Sequence, residues 1–208
     1  MKKILMAIIA ITSIMYAEIT LPKSGCVLSQ EGVVSVGWKA YKTPAKIGVG
    51  GVFNDVSYTP IAPKGKNFKE ILVGSSVVIN TNSVNSKNEA RDLKLVNSFF
   101  KIMSDEKIKA KILDIKANKR EKGKPRTGVI SMEITMNSIT KEVPMNYSYE
   151  NGKLKAEGFI DIFDFQASKA LSAINKACFD LHKGKTWSDV LISFEMNIKA
   201  DLCSSKVK

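Results

Sequence analysis

From position 190 the chain alternates with a period of two. Val190, Ile192, Phe194, Met196, Ile198, Ala200 and Leu202 form one row, and Leu191, Ser193, Glu195, Asn197, Lys199 and Asp201 fill the gaps between them. Successive side chains of a strand point to opposite faces, so this pattern specifies a strand with one face buried and one solvated, the signature of antiparallel sheet. The same period recurs upstream. Val34, Val36, Trp38 and Ala40 share a face, as do Ile130, Met132, Ile134 and Met136, and then Val143, Met145, Tyr147 and Tyr149. Asn151-Gly152, which favours the positive φ of a tight hairpin, ends that last row.

Further strands are expected over 47–58, 71–80, around Ile108, Ala110 and Ile112, and over 154–164. Gly48, Gly50 and Gly51 suggest tight bending at a barrel corner in the second strand. A Pro- and Lys-bearing loop covers 60–69, and a turn segment covers 116–128. Eight strands with few helices point to a closed antiparallel barrel, since closure removes unpaired edges. The fold class is therefore mainly all-β. With 208 residues, 44% hydrophobic, there is material for one sizeable core and little for a second.

Two segments break the alternation. Ala90, Leu93, Val96 and Phe100 recur at helical spacing, and Leu171, Ile174, Cys178 and Leu181 make an amphipathic stripe that Ser168 could cap and Gly184 end. Both are expected to pack on the barrel or to lid it.

The first seventeen residues stand apart. Lys2 and Lys3 precede an apolar run from Ile4 to Met15, and Ala17 precedes Glu18, as in a secretory signal peptide. Met15 stands where a small residue is commoner, so an uncleaved tether is the other reading. The remainder, 18–208, is expected to be one domain, periplasmic or secreted. No apolar run has the roughly 18 residues that a spanning helix needs.

The formal net charge is +12. Export argues against nucleic acid, as does a basic set that is nearly all lysine, with only Arg91, Arg120 and Arg126 able to form planar forks. The basic turn carrying Lys116, Lys119, Arg120, Lys122, Lys124 and Arg126 is either solvated or faces phosphate headgroups, which leaves transient contact with a membrane surface open.

Catalytic material is sparse. His182 is the only histidine and sits at an expected helix C-terminus, where a dipole contact accounts for it. Cys178 and His182, four apart, could hold a metal with Cys26 or Cys203, but no second ligand pair accompanies them and no metal site is expected. Cys26 precedes the first strand and Cys203 ends the last. Barrel closure brings those positions together, so a Cys26–Cys203 bridge is expected, with Cys178 free and buried. Neither an enzyme nor a cofactor is indicated.

The interior is methionine-rich. Met132, Met136, Met145 and Met196 fall on inward faces beside Trp38, Phe53, Tyr147 and Phe194. An eight-stranded barrel holds either packed side chains or one small ligand, and composition alone does not separate the two.

Four segments carry a resemblance: GGVFNDVSY from Gly50, VVINTNSVNSKNEARDLKLVNSFF from Val77, MNSITKEVPM from Met136 and GFIDIFDFQ from Gly158. In order and spacing the chain resembles the YceI-like family of exported, lipocalin-like lipid-binding proteins. Ser83-Val84 followed by Arg91-Asp92 and Leu95 is the most specific piece. Lys94 stands where the family commonly has histidine, and the segment 168–185 is longer than the usual crossing.

The resemblance implies an eight-stranded barrel holding a long-chain amphiphile without turnover: a polyisoprenoid, a quinone-like isoprenoid, or a fatty acid or its amide. Trp38, Phe53, Met132, Ile134, Met145, Tyr147, Phe194 and Met196 would line the tunnel. Phe99 and Phe100 would pack at it. Arg91 and Asp92 would either meet the ligand head or anchor the helix as a charge pair. The competing reading is an interaction protein with a filled core whose basic surface docks on membrane or another exported protein; a homodimer through an exposed apolar face is left open by either reading.

Overall fold

The structure, a computed structural model, describes residues 27–201. The expected signal segment and the expected Cys26–Cys203 bridge lie outside the described residues.

Ten strands form: β1 (Val27–Lys42), β2 (Ile47–Phe53), β3 (Val56–Thr59), β4 (Ser76–Asn80), β5 (Val84–Asn85), β6 (Lys107–Ala117), β7 (Arg126–Met136), β8 (Ile139–Glu150), β9 (Lys153–Asp161) and β10 (Asp189–Asp201). Helices α1 (Phe68–Leu72), α2 (Glu89–Ser98), α3 (Ser168–Ala177) and α4 (Phe179–His182) interrupt them. The sheet order is β3-β4-β6-β7-β8-β9-β10-β1-β2-β5, and every pairing is antiparallel.

The strand count is ten, not eight, because the second expected strand divides and a short further strand, β5, follows the third. The second breaks at Asn54 and Asp55, whose backbone N–H groups donate to the Ser83 carbonyl at 3.0 Å and the Ser83 hydroxyl at 2.9 Å. The third ends at Asn80, where its side chain accepts from Asn82 N and opens the 3-10 turn Thr81–Ser83 that leads into β5. β3 pairs with β4 at one end of the order, and β2 pairs with β5 at the other. Since β2 leads into β3 and β4 into β5, the two ends of the curled sheet are joined by the chain itself.

Three further expectations are corrected. Residues 71–75 are not strand: Phe68–Leu72 is helical because Asn67 caps it, accepting from Glu70 N at 3.0 Å, while the Glu70 carboxylate reaches back to Lys66 N at 2.7 Å. That reciprocal cap outweighs the strand tendency of Ile71. β9 stops at Asp161, not 164, because the Asp161 carboxylate accepts from Phe163 N and starts a 3-10 turn that Gln166 ends at a φ of 52°. Gly50 and Gly51 make no corner. A Cβ at Gly50 would meet the Trp38 carbonyl at 2.8 Å, and one at Gly51 would strike the Asn85 carbonyl, so these glycines allow backbones to approach closely.

The alternation elsewhere holds. Ile130, Met132, Ile134 and Met136 of β7, Val143, Met145 and Tyr147 of β8, and Phe194, Met196 and Ile198 of β10 are all buried in one core. Asn151 and Gly152 take φ of 51° and 78° in a two-residue hairpin. Asn137 and Ser138 form another, with φ of 52° and 62°. β1 starts at Val27, earlier than its alternation shows, because the register against β10 shifts between Glu31 and Ser35, leaving Val33 88% exposed.

Candidate functional site

The interior of the curled sheet is not filled. A cavity of about 520 Å³ lies between the sheet and helices α2, α3 and α4, and every strand except β5 contributes to its wall. That volume falls within the ~300–1,000 Å³ typical of small-molecule pockets.

The buried wall is apolar and rich in methionine. Met132, Ile134 and Met136 from β7, Met145 from β8, Phe194 and Met196 from β10, and Ile112 from β6 are all buried and line it. Trp38 and Phe53 line it from β1 and β2. Phe53 and Phe100 meet edge to face with centroids 5.9 Å apart, and so do Phe99 and Phe100 at 5.2 Å. Both phenylalanines at the end of α2 thus belong to the wall. Unbranched thioether side chains suit a wall that must adapt to a flexible chain.

Two expected lining residues lie elsewhere. Tyr147 is buried but packs edge to face on Phe68 of α1, with centroids 6.2 Å apart, on the side of the core that α1 covers. Asp92 points away from the cavity: its Oδ1 accepts from Ser86 N at 2.9 Å and from the Ser86 hydroxyl at 2.6 Å, tying α2 to the segment after β5. The Arg91–Asp92 charge pair does not form among the described residues, and Arg91 lines the cavity alone.

The helices supply what the strands do not. Leu171, Ile174, Cys178 and Leu181 all line the cavity, so the stripe of α3 and α4 lids it. Ser168 is not the cap; the cap position is Ala167, with no side-chain hydrogen bond. Lys42, Arg91, Lys94, His182, Thr186 and Trp187 complete the polar part of the wall. No aspartate or glutamate is among the lining residues, and none of the three cations has an ion-pair partner among the described residues. Arg91 was expected here from the resemblance, and Lys94 was noted as a departure from it; Lys42, His182, Thr186 and Trp187 escaped as members of the wall because they come from distant elements.

His182 is oriented by a chain of hydrogen bonds. Asn175 Nδ2 donates to the Gly184 carbonyl at 3.3 Å, and Asn175 Oδ1 accepts from the Thr186 hydroxyl at 2.8 Å. With its proton so engaged, Thr186 Oγ1 accepts from His182 Nδ1 at 2.7 Å, leaving Nε2 as the free acceptor of the neutral ring. Burial, and after it the nearby Lys42 and Lys94 ammonium groups, hold the imidazole below its ordinary value of 6.5. Trp187 is pinned in turn: its Nε1 donates to the Thr43 carbonyl at 2.8 Å, and Lys46 and Lys185 lie over its ring at 4.8 and 4.7 Å from the centroid.

Among the described residues, two buried polar atoms of the wall have no hydrogen-bond partner, Trp38 Nε1 and the Tyr58 hydroxyl. Burial raises the Tyr58 pKa, an effect the nearby Ser75 hydroxyl tempers. Among the described residues no group of three His, Cys, Asp or Glu side chains could hold a metal ion. The basic turn between β6 and β7 contributes nothing to the cavity wall, and within it Lys124 pairs with Glu121.

The same architecture occurs in known structures. A polyisoprenoid-binding domain from Saccharophagus degradans, implicated in plant cell wall breakdown, superposes with a TM-score of 0.56 at 10% identity, over 86% of this chain and 99% of that one. BcnA of Burkholderia cenocepacia gives 0.52 at 12% identity, over 80% and 96%. The Campylobacter jejuni YCEI protein gives 0.50 at 18% identity, over 74% and 85%. At such identities the likeness is one of fold. No curated protein matches the chain in sequence. The sequence model of the YceI-like domain, however, matches residues 31–202, almost all of the sheet and its helices, and the chain therefore belongs to the YceI-like family.

Proposed function

We propose that this protein holds a long-chain amphiphilic lipid, a polyisoprenoid, a quinone-like isoprenoid, or a fatty acid or fatty amide, in its cavity, and stores, carries or sequesters it in the periplasm after signal-peptide removal. One observation carries the reading: a cavity of about 520 Å³ whose buried wall is methionine, isoleucine and phenylalanine. A filled-core interaction protein has no use for that space. The name of the Saccharophagus degradans neighbour, a polyisoprenoid-binding domain, supports the same ligand class.

The energetics favour a chain. Each methylene taken from water contributes about 0.8 kcal/mol, so roughly ten of them give ~8 kcal/mol before the cost of ordering the chain. The apolar tail lies along Met132, Ile134, Met145 and Met196. The polar head lies against Lys42, Arg91, Lys94 and the free Nε2 of His182. No residue here needs to make or break a covalent bond: the protein excludes water from the tail and supplies donors to the head.

Native mass spectrometry of the purified protein, followed by denaturing release, tests this directly. A defined long-chain mass in stoichiometric amount is expected. The double substitution Met132→Trp and Met196→Trp fills the cavity from two opposing strands, and is expected to abolish lipid retention while preserving the circular dichroism of the sheet. Retention unchanged in that variant would place the lipid elsewhere.

A further inference from the structure

The lid presents two faces. Inward, Ile174, Cys178 and Leu181 meet the cavity. Outward, Phe179 is 59% exposed, and Leu181, although it lines the cavity edge, is itself 63% exposed. Two large apolar side chains within three residues of each other thus stand in solvent at the rim of an apolar cavity.

They are held there rigidly. Gly184 N donates to the Phe179 carbonyl at 2.9 Å, and Lys183 N to the Asp180 carbonyl at 3.2 Å, closing α4 with Lys183 and Gly184 at φ of 49° and 75°. A Cβ at Gly184 would stand 3.3 Å from the Phe179 ring, so the ring lies against the glycine. The following residues are fastened to β1, with Thr43 N donating to the Lys185 carbonyl at 2.9 Å and Trp187 N to the Tyr41 carbonyl at 3.0 Å. An exposed phenylalanine on an anchored, tightly closed turn is a presented group.

The surrounding charge is predominantly positive. Lys176, Lys183 and Lys185 lie on the same segment, and Lys42 and Lys94 stand close enough to His182 to depress its pKa. Asp180 is the one carboxylate from 168 to 187. Among the described residues none of these five lysines is paired with a carboxylate. Apolar groups ringed by unpaired lysines match a bilayer surface whose headgroups are anionic and whose interior is apolar.

We infer that α4 and the turn after it are a docking lip, which seats the cavity mouth on an anionic membrane leaflet by inserting Phe179 and Leu181 between headgroups that the surrounding lysines contact. The lip lies within 168–185, beside α3. Its purpose, passing a chain between bilayer and cavity, rests on the lipid-holding reading; the docking itself does not, and is measured separately.

The test is co-sedimentation of the purified protein with vesicles of phosphatidylcholine mixed with phosphatidylglycerol, against vesicles of phosphatidylcholine alone. Binding to the anionic vesicles only is expected, and added salt should weaken it. Phe179→Ser is expected to lower partitioning by about tenfold, and separately Lys176→Gln with Lys183→Gln by about 25-fold, each lysine near the surface contributing roughly fivefold. Phe179 does not line the cavity, so Phe179→Ser should still carry its lipid in native mass spectra. Lys119→Gln with Lys122→Gln, in the basic turn between β6 and β7, should bind vesicles as the unaltered protein does.

Three results would overturn the inference. Equal binding to both vesicle types, or binding indifferent to Phe179→Ser, removes the lip. An equal loss from the Lys119 and Lys122 variant assigns binding to general charge. A dimer in light scattering that Phe179→Ser dissociates makes a second copy, not a bilayer, the cover of this face. A protein that docks as expected yet carries no lipid would leave the lip standing and sink the proposed function instead.

Discussion

His182 shows how one side chain reports on its surroundings. Its folded pKa lies below 6.5 because the ring is part-buried and faces Lys42 and Lys94, with Thr186 fixing Nδ1. The unfolded chain therefore binds the proton more readily. Stability from this site is fully present above about pH 6.5 and is lost as pH falls through the depressed folded value. Urea midpoints measured between about pH 7.5 and 5 should fall, and His182→Gln should flatten part of that slope. Glu195, held low by Lys153 and Lys155, adds a loss of the same sign at more acid pH. The cavity-lining residues Met132, Met145 and Met196 were legible from alternation, since a strand row exposes its own inward face. Lys42 and Trp187 were not, because only the bridge of Lys42 to Thr186 brings them to one mouth.

At the scale of elements, local signals compete. Asn67 and Glu70 bracket the first turn of α1, and this cap is a sequence feature: an Asn followed three residues later by Glu, ahead of Ile71-Leu72. Reading 71–80 as a single strand overlooked it. Asn67→Ala should cost about 1 kcal/mol of stability in chemical denaturation, since it frees Glu70 N and leaves Lys66 N with a less constrained acceptor. The division of the second strand and the short strand β5 were not legible in the same way. They depend on Ser83 accepting from Asn54 and Asp55 across the sheet, a contact made only once the two strands lie side by side. Helix α2, by contrast, carries its own cap, with Asn88 Oδ1 accepting from Arg91 N at 2.9 Å, and was visible over nearly its whole length.

For the molecule as a whole, alternation fixed the class of fold, and the family resemblance turned an ambiguous interior into an expected tunnel. The structure adds that the interior has open volume and that α3 and α4 lid it. A cavity lined by apolar atoms lacks contacts that a ligand would restore. Stripping the protein with organic solvent and refolding it should therefore lower its melting temperature relative to the lipid-loaded form. Adding back the released lipid should restore it in proportion to the logarithm of its concentration.

The pairing of β1 with β10 has a consequence for the order of assembly. Val27 faces Asp201 and Lys39 faces Leu191, so the wall is completed by strands from opposite ends of the described chain. Intermediate hairpins such as β7–β8 can form as soon as their own residues are available, because their loop closes over two residues. The tunnel cannot. It comes into being only when β10 reaches β1, so a newly made chain has neither the cavity nor a positioned lid until β10 has been made, and its folding should be slow for its size.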